Sequence, residues 1–327
     1  MNTSRSRTAA VSVAAASLAA LLVSTQAAAQ NYPAKPIRVI VPYPPGGTSD
    51  ILTRLVGAKL TEAWGQQILA DNRTGAGGNI GAELMVRAAP DGYTLMLTDI
   101  GNLVTSTILY AKLPFDLLRD FAPVVTVSYS PHLLAVHPSV PVKTVKELVA
   151  LAKSKPGKLN YAAGLGGTPH LAGLMFAQRT GINWVYIPTK GGAATSYAVA
   201  TGDADVLFLG ILQTLTHISS GKLKLIASSS AQRLSNLPDT PTVAESLPGF
   251  VTGSWQGILA PARTPPDVIA KLNNEVARVL KLNDVREVLT SQGTTPLATG
   301  PQETGRWLTE EKERWTKVVK ESGFKLE

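Results

Sequence analysis

From Pro36 onward the chain alternates short β-type apolar runs with stretches whose apolar residues recur at helical spacing. PIRVIVPY (36–43) predicts a strand. Over 50–64 a helix follows, with Ile51, Leu52, Leu55, Val56 and Leu60 on one face and Asp50 as its N-cap. QQILADNR (66–73) predicts a second strand. Then come a glycine-rich turn (TGAGGN), a helix over 80–89, a turn at Pro90-Asp91-Gly92 and the strand YTLMLTD (93–99). This β-α-β-α-β order begins a doubly wound sheet.

A second set repeats the grammar. FAPVVTVSYSPHLLAVHP (121–138) is a long β-type run that Pro131 is expected to break. It leads to a helix near 144–154, a strand at 158–164, a helix from Thr168, a strand at 183–188, a helix from Gly192 and a strand at 204–210. A short helix and a strand at 223–230 close the set. VTGSWQGILAPA (251–262) is a second long β-type run, and helices at 266–281, 284–292 and 301–320 end the chain, with a short extended piece near 294–298. The pattern predicts an α/β protein of two doubly wound domains joined by crossing strands. Domain 1 is then discontinuous (30–130 and 251–327), domain 2 spans 131–250, and the closing helices pack back on domain 1.

Composition supports a sizeable core: 44% of the 327 residues are hydrophobic and 17% charged. The first 29 residues change the picture. Arg5 and Arg7 form a positive start, Ala9 to Val23 a short apolar run, and Ala27-Ala28-Ala29 a small-residue cleavage pattern. Together they predict a secretory signal peptide and, with no cysteine for a disulfide or lipid anchor, a periplasmic protein. The formal charge of +8 is spread without a Lys/Arg run, which argues against nucleic acid and suits a small anionic ligand.

Two loops carry candidate chemistry. In VPYPPGGTSD, Gly46 and Gly47 let an anion approach the backbone, Thr48 and Ser49 add hydroxyls, and a helix begins there with free N–H groups. YAAGLGGTPHL (161–171) has the same form: Gly164, Gly166 and Gly167, then Thr168, then Pro169 and His170 in the first helical turn, with His170 a candidate donor to an anion. Each loop alone is compatible with an ordinary strand-to-helix turn. As a pair at strand C-terminal ends they would face one cleft. A third such loop, NRTGAGGNIGAE (72–83), lines the cleft or lets helix and sheet approach, with the second role favoured.

Other chemistries fit poorly. Neither a dinucleotide fingerprint nor a phosphate-binding P-loop nor a nucleophile elbow is present, and Ser49, Asp50 and His170 make a weak triad. The four histidines (His132, His137, His170, His217) lack zinc spacing, so neither metal nor cofactor is expected. Among the tryptophans, Trp307 and Trp315 read as core, and Trp255 is the one placed to touch the cleft.

Several ordered stretches resemble one family across the mature chain: PIRVIVPYPPGGTSDILTRLV, DNRTGAGGNIGAELMVRAAPDGYTL, VKELVALAKSKPGKLNYAAGLGGTPHLAG, PTKGGAATS, LPDTPTVAESLPGF and GILAPARTPPDVIAKLN. They are similar to the solute-binding Bug receptors of tripartite tricarboxylate transporters. The resemblance implies a two-lobed periplasmic binding protein (type II-like) that closes on a small organic acid and meets the membrane subunits of its transporter. Carried residue by residue, it implies ligand contacts at Tyr43, Gly46, Gly47, Thr48, Ser49, Asp50, Gly166, Gly167, Thr168 and His170. It implies no catalysis, and a monomer is expected. A receptor that presents the acid to a membrane sensor kinase stays open as an alternative, as does an exported hydrolase or isomerase using His170. Two departures stand out. Thr189 replaces a frequent aromatic before Lys190-Gly191-Gly192, and Leu209-Gly210 replace polar residues. The second removes a polar contact at the far end of the cleft, which points to an aromatic or longer-chain carboxylate rather than a short amino dicarboxylate.

Overall fold

The computed structural model describes residues 32–291 and 293–324; the segment read as a signal peptide lies outside them. The chain opens with β1 (Ile37–Val41), α1 (Thr48–Trp64), β2 (Ile68–Asn72), α2 (Asn79–Val86), β3 (Thr94–Asp99) and α3 (Ile100–Leu109). β4 (Phe121–Val136) leads to α4 (Val145–Ser154), β5 (Asn160–Gly164), α5 (Thr168–Thr180), β6 (Val185–Thr189), α6 (Gly192–Ala200), β7 (Val206–Gly210), α7 (Ile211–Ser219) and β8 (Lys224–Ser228). β9 (Gly253–Pro261), α8 (Pro266–Val279), α9 (Asn283–Ser291), β10 (Thr295–Pro296) and α10 (Pro301–Ser322) follow.

The strand order is β2-β1-β3-β9-β4-β7-β5-β6, with β8 and β10 also pairing β4. β1 runs parallel to β2 and β3, and β5 parallel to β6 and β7, as β-α-β crossovers require. The long strand β4 serves both lobes. From Phe121 to Pro131 it pairs antiparallel with β9, and from His132 to Val136 it pairs with β7 and β8. Pro131 does not break the strand, as the sequence had suggested. It sits where pairing passes from β9 to the second lobe, a point at which a missing N–H costs least.

Helix α3 was not anticipated. Its sequence, IGNLVTSTIL, is rich in β-branched residues, and Ile100, Gly101, Leu103, Val104, Thr105, Ser106 and Leu109 are all buried, so no polar face marks it. Asp99 starts it by accepting from the amides of Gly101 (2.9 Å) and Asn102 (3.3 Å).

α8 packs on the first lobe. Val268, Ile269, Leu272 and Val276 share a core with Leu52, Val56 and Leu60, and the Asn273 amide donates to the Val124 carbonyl at 2.9 Å. α10 touches both lobes. Thr304 meets Thr126 at 3.1 Å near its start, and near its end the Gln178 amide of α5 donates to Glu321 at 2.9 Å. Trp315, fully buried, donates its indole N–H to Glu311 at 2.8 Å, and Arg314 donates to the Val251 carbonyl. The main apolar core is continuous across the lobes, from Ile40, Met96 and Phe121 to Leu134, Phe176 and Phe208.

Gly173 sets how closely α5, which carries the second glycine loop, lies on the sheet. A Cβ there would fall 2.3 Å from Cε1 of buried Tyr161, whose ring is stacked on Trp184. Gly173→Ala should therefore destabilise the protein by about 1–3 kcal/mol despite the better helix propensity of alanine. Urea unfolding midpoints would check this, and an unchanged or raised midpoint would contradict it.

Candidate ligand-binding site

The first loop leaves β1 and turns through Pro44 to Gly47. Gly46 has φ +80° with nothing within 4 Å of a built Cβ, so backbone conformation rather than space demands glycine there. The helix starts at Thr48, two residues earlier than expected, with Gly47 as an N-cap that has no side-chain bond. Asp50 is therefore not the cap. Its carboxylate lies in the first turn, accepts from the Gly46 amide at 3.0 Å and pairs with Arg54 at 2.9 Å. The Arg54 guanidinium holds that carboxyl below its usual range. Asp50 thus shapes the loop and is already neutralised by Arg54. Ser49 is buried and donates to Gln256 Oε1 at 2.6 Å, and the Thr48 hydroxyl accepts from Gln213 of the second lobe at 3.2 Å.

The second loop mirrors the first. Gly166 has φ +74°, Gly167 is an N-cap with no side-chain bond, and Pro169 fills the first turn of α5. The ring of His170 is buried and stacked on Tyr186 at 4.1 Å, with Phe324 edge-on at 4.6 Å. Its Nδ1 accepts from the Gly166 amide at 3.3 Å, which leaves the proton on Nε2. Burial lowers its pKa to about 4, so the ring is neutral at neutral pH. His170 fixes the loop backbone through Nδ1, while its buried Nε2, which carries the proton, has no hydrogen-bond partner among the described residues. Beneath the loop, buried His132 contacts Thr252 at 3.1 Å and the Thr168 hydroxyl at 3.5 Å.

Between the loops lies α3. Asn102 accepts from the Thr168 amide at 2.7 Å and donates to the Tyr43 hydroxyl at 3.2 Å, and Thr105 donates to the Gly166 carbonyl at 2.6 Å. With the Gln213–Thr48 bond, these contacts tie the lobes together around the two glycine turns. A buried chain of hydrogen bonds supports them from below. Ser49 donates to Gln256, Gln256 to Ser254 at 2.8 Å, and Ser254 to Asp99 at 2.7 Å. Asp99 in turn holds the start of α3. Burial pushes its carboxyl up to about 6, against the opposing pull of Ser254 and the backbone donors.

The remaining candidates separate clearly. Ser49, Asp50 and His170 each bond elsewhere and not to one another among the described residues, so they do not form a triad. Those residues also hold no cluster of His, Cys, Asp or Glu suited to a metal ion. Trp255 lies between Tyr129 and Trp307, at 4.7 and 5.1 Å, as part of an aromatic stack. Gly210 leaves room for Gln213, whose Oε1 would lie 2.8 Å from a Cβ at 210 and whose amide donates to Thr48. A wider surface depression beside Leu118 is lined by Lys312, Lys317, Glu313 and Glu321 of α10, away from both loops.

Comparison with known proteins decides the family. Residues 52–324 match the model of the tripartite tricarboxylate transporter family receptor. The chain belongs to this family. Protein BugT of Bordetella pertussis is 34% identical over 307 residues, covering 93% of this chain and 94% of BugT. The structure of Rhodopseudomonas palustris Rpa4515 with adipate superposes with a TM-score of 0.85 at 33% identity, covering 89% of this chain and 98% of that one. MatC from the same organism, with bound malate, gives 0.80 at 32%, covering 88% and 100%. These relatives share the two-lobed periplasmic binding fold, and no helix among the described residues is long and apolar enough to cross a membrane.

In this receptor, sequence reasoning missed Asn102, Thr105, Gln213, Gln256 and Asp99. The one available signal was TDIGN (98–102), an N-cap-type aspartate at the end of an apolar strand.

Asp99 supplies a pH test. It titrates near 6 when folded and near ~4 when unfolded. Its contribution to stability is complete below the unfolded value and is lost as pH rises through 6. Wild-type stability relative to the non-titrating Asp99→Asn should rise by about 1–3 kcal/mol from neutral pH to pH ~4. Urea midpoints across that window measure it, and a flat difference would refute the assignment.

Proposed function

We propose that this chain is a periplasmic receptor that captures a small organic carboxylate between its lobes and delivers it to the membrane subunits of a tripartite tricarboxylate-type transporter. One observation carries the reading. Two glycine turns, one from each lobe, each end in a helix N-terminus without a side-chain cap, and both adjoin α3. Such amides and dipoles favour an anion, and the hydroxyls of Thr48 and Thr168 add donors. The relatives whose structures hold adipate and malate support a carboxylate. Under this reading Tyr43, Gly46, Gly47, Thr48 and Ser49 face Gly166, Gly167 and Thr168 across the ligand, while Asp50 and His170 hold the two turns in shape. The protein is a binder and not an enzyme, works as a monomer, and is exported by its N-terminal segment. The lobes divide where β4 and the chain near 250 cross, giving 32–130 with 251–324 and 131–250. Ligand favours the closed arrangement because both turns reach it only there.

A thermal-shift panel of aliphatic and aromatic mono-, di- and tricarboxylates tests this. A bound acid at ~100 times its Kd should add roughly 2.7 kcal/mol to stability and raise the midpoint. Gly47→Val is the matched control. Gly47 has ordinary φ (−78°), and a built Cβ meets only the Pro44 carbonyl at 3.4 Å, so the variant should fold. Its side chain would screen the helix amides, so the ligand-induced shift should vanish while the ligand-free midpoint stays within about 4 °C. A full shift retained in Gly47→Val would place the acid elsewhere, and no shift with any acid would remove the reading.

A further inference from the structure

Gln213 reaches from the second lobe to the first glycine turn. It lies in the first turn of α7, three residues after the N-cap Gly210, and its Nε2 donates to the Thr48 hydroxyl at 3.2 Å. Two glycines make room for its side chain. A Cβ at Gly210 would fall 2.8 Å from Oε1, and one at Gly192 would fall 3.2 Å from Cγ. Neither glycine has a left-handed φ, so what both supply is space rather than conformation. The polarity of α7 orients the amide. Oε1 turns back toward Gly210, at the positive end of the helix, and Nε2 is left to face Thr48.

That contact decides what the Thr48 hydroxyl can do. A hydroxyl has one proton to give and two lone pairs to offer, whereas an amide nitrogen only donates. Thr48 must therefore accept from Gln213, and its own proton stays free. Among the described residues that proton has no acceptor. The neighbouring hydroxyl is already committed, since Ser49 donates to Gln256 at 2.6 Å. Thr48 is also the first residue of α1, directly behind Gly47, where the N-cap makes no side-chain bond. The free proton thus joins the unpaired amides at the same helix start. A hydroxyl that accepts one hydrogen bond becomes a stronger donor in the next.

Resting on the reading of the cleft as an organic-acid site, we propose that Gln213 is a positioning residue for the ligand: by donating to Thr48 from the opposite lobe, it commits that hydroxyl to donate to the carboxylate of the acid. Binding and lobe closure are then coupled through one hydroxyl. The carboxylate accepts from Thr48 and strengthens the bond from Gln213, and that bond holds α7 against the first turn and slows release.

Calorimetric titration of the whole protein with the acids of the thermal-shift panel, adipate and malate among them, tests this in a double-mutant cycle. Gln213→Leu should weaken binding about tenfold and speed dissociation. In a Thr48→Val background the same change should cost no more than about twofold, because the hydroxyl it acts through is gone. Gln213→Glu separates this role from packing. At neutral pH the introduced carboxylate accepts the Thr48 proton and repels the acid, so affinity should fall about a hundredfold. As pH drops and that carboxylate gains a proton it can donate to Thr48 again, and the deficit against wild type should shrink. Gln213→Ala gives the same cycle if leucine prevents folding. A tenfold loss in both backgrounds, an unchanged affinity in Gln213→Leu, or a pH-independent deficit in Gln213→Glu would overturn this inference and leave the receptor reading standing. Binding of none of the acids to the wild type would overturn both.

Discussion

The carboxyl of Asp99 is the point on which the cleft depends. It starts α3, and among the described residues α3 is the only element that bonds to Tyr43 beside the first glycine turn and to Gly166 and Thr168 of the second. Through Ser254 and Gln256 the same carboxyl reaches Ser49 at the start of α1. The group is buried, so each of these bonds forms in a medium of low polarity, where a missing partner is costly. One acid group, inside the first lobe, thereby fixes the relative placement of two helix N-termini that lie far apart in sequence.

The glycine turns themselves are held by side chains from the helices that follow them. Asp50 accepts from the Gly46 amide and His170 from the Gly166 amide, each four residues downstream in the following helix. The two lobes thus use one solution with different chemistry. In the first, a charged acceptor is balanced by Arg54; in the second, a neutral imidazole is kept neutral by burial. A positive-φ glycine stands at both turns because the chain must reverse before the helix can start.

Most strands and helices were legible because their apolar spacing is regular. β1, β3, β5, β7 and the amphipathic α8 lie within a few residues of the pattern. α3 was not, since a helix buried on nearly all sides loses the polar face that periodicity detects, and its Ile, Val and Thr content suggests a strand. The loops were legible as anion cradles from their glycines. The backbone contacts of Asp50 and His170 were not, because an acidic or imidazole group next to a cradle looks the same in sequence whether or not it also holds the turn. Gln213 and Gln256 carried no signal at all: their partners are 165 and 207 residues away.

The reach of α10 constrains the mechanics of the cleft. Near its start it is fastened to Thr126, and near its end to Gln178 of α5, with Arg314 bound to the crossing segment at Val251 between them. A rod pinned to both halves resists their separation along its length, but allows them to turn about an axis close to itself. β4 supplies a second, flexible tie, because a strand can twist without losing its ladder bonds. Parting the two halves straight along α10 would therefore break these contacts, whereas a turn about an axis near the helix would spare them.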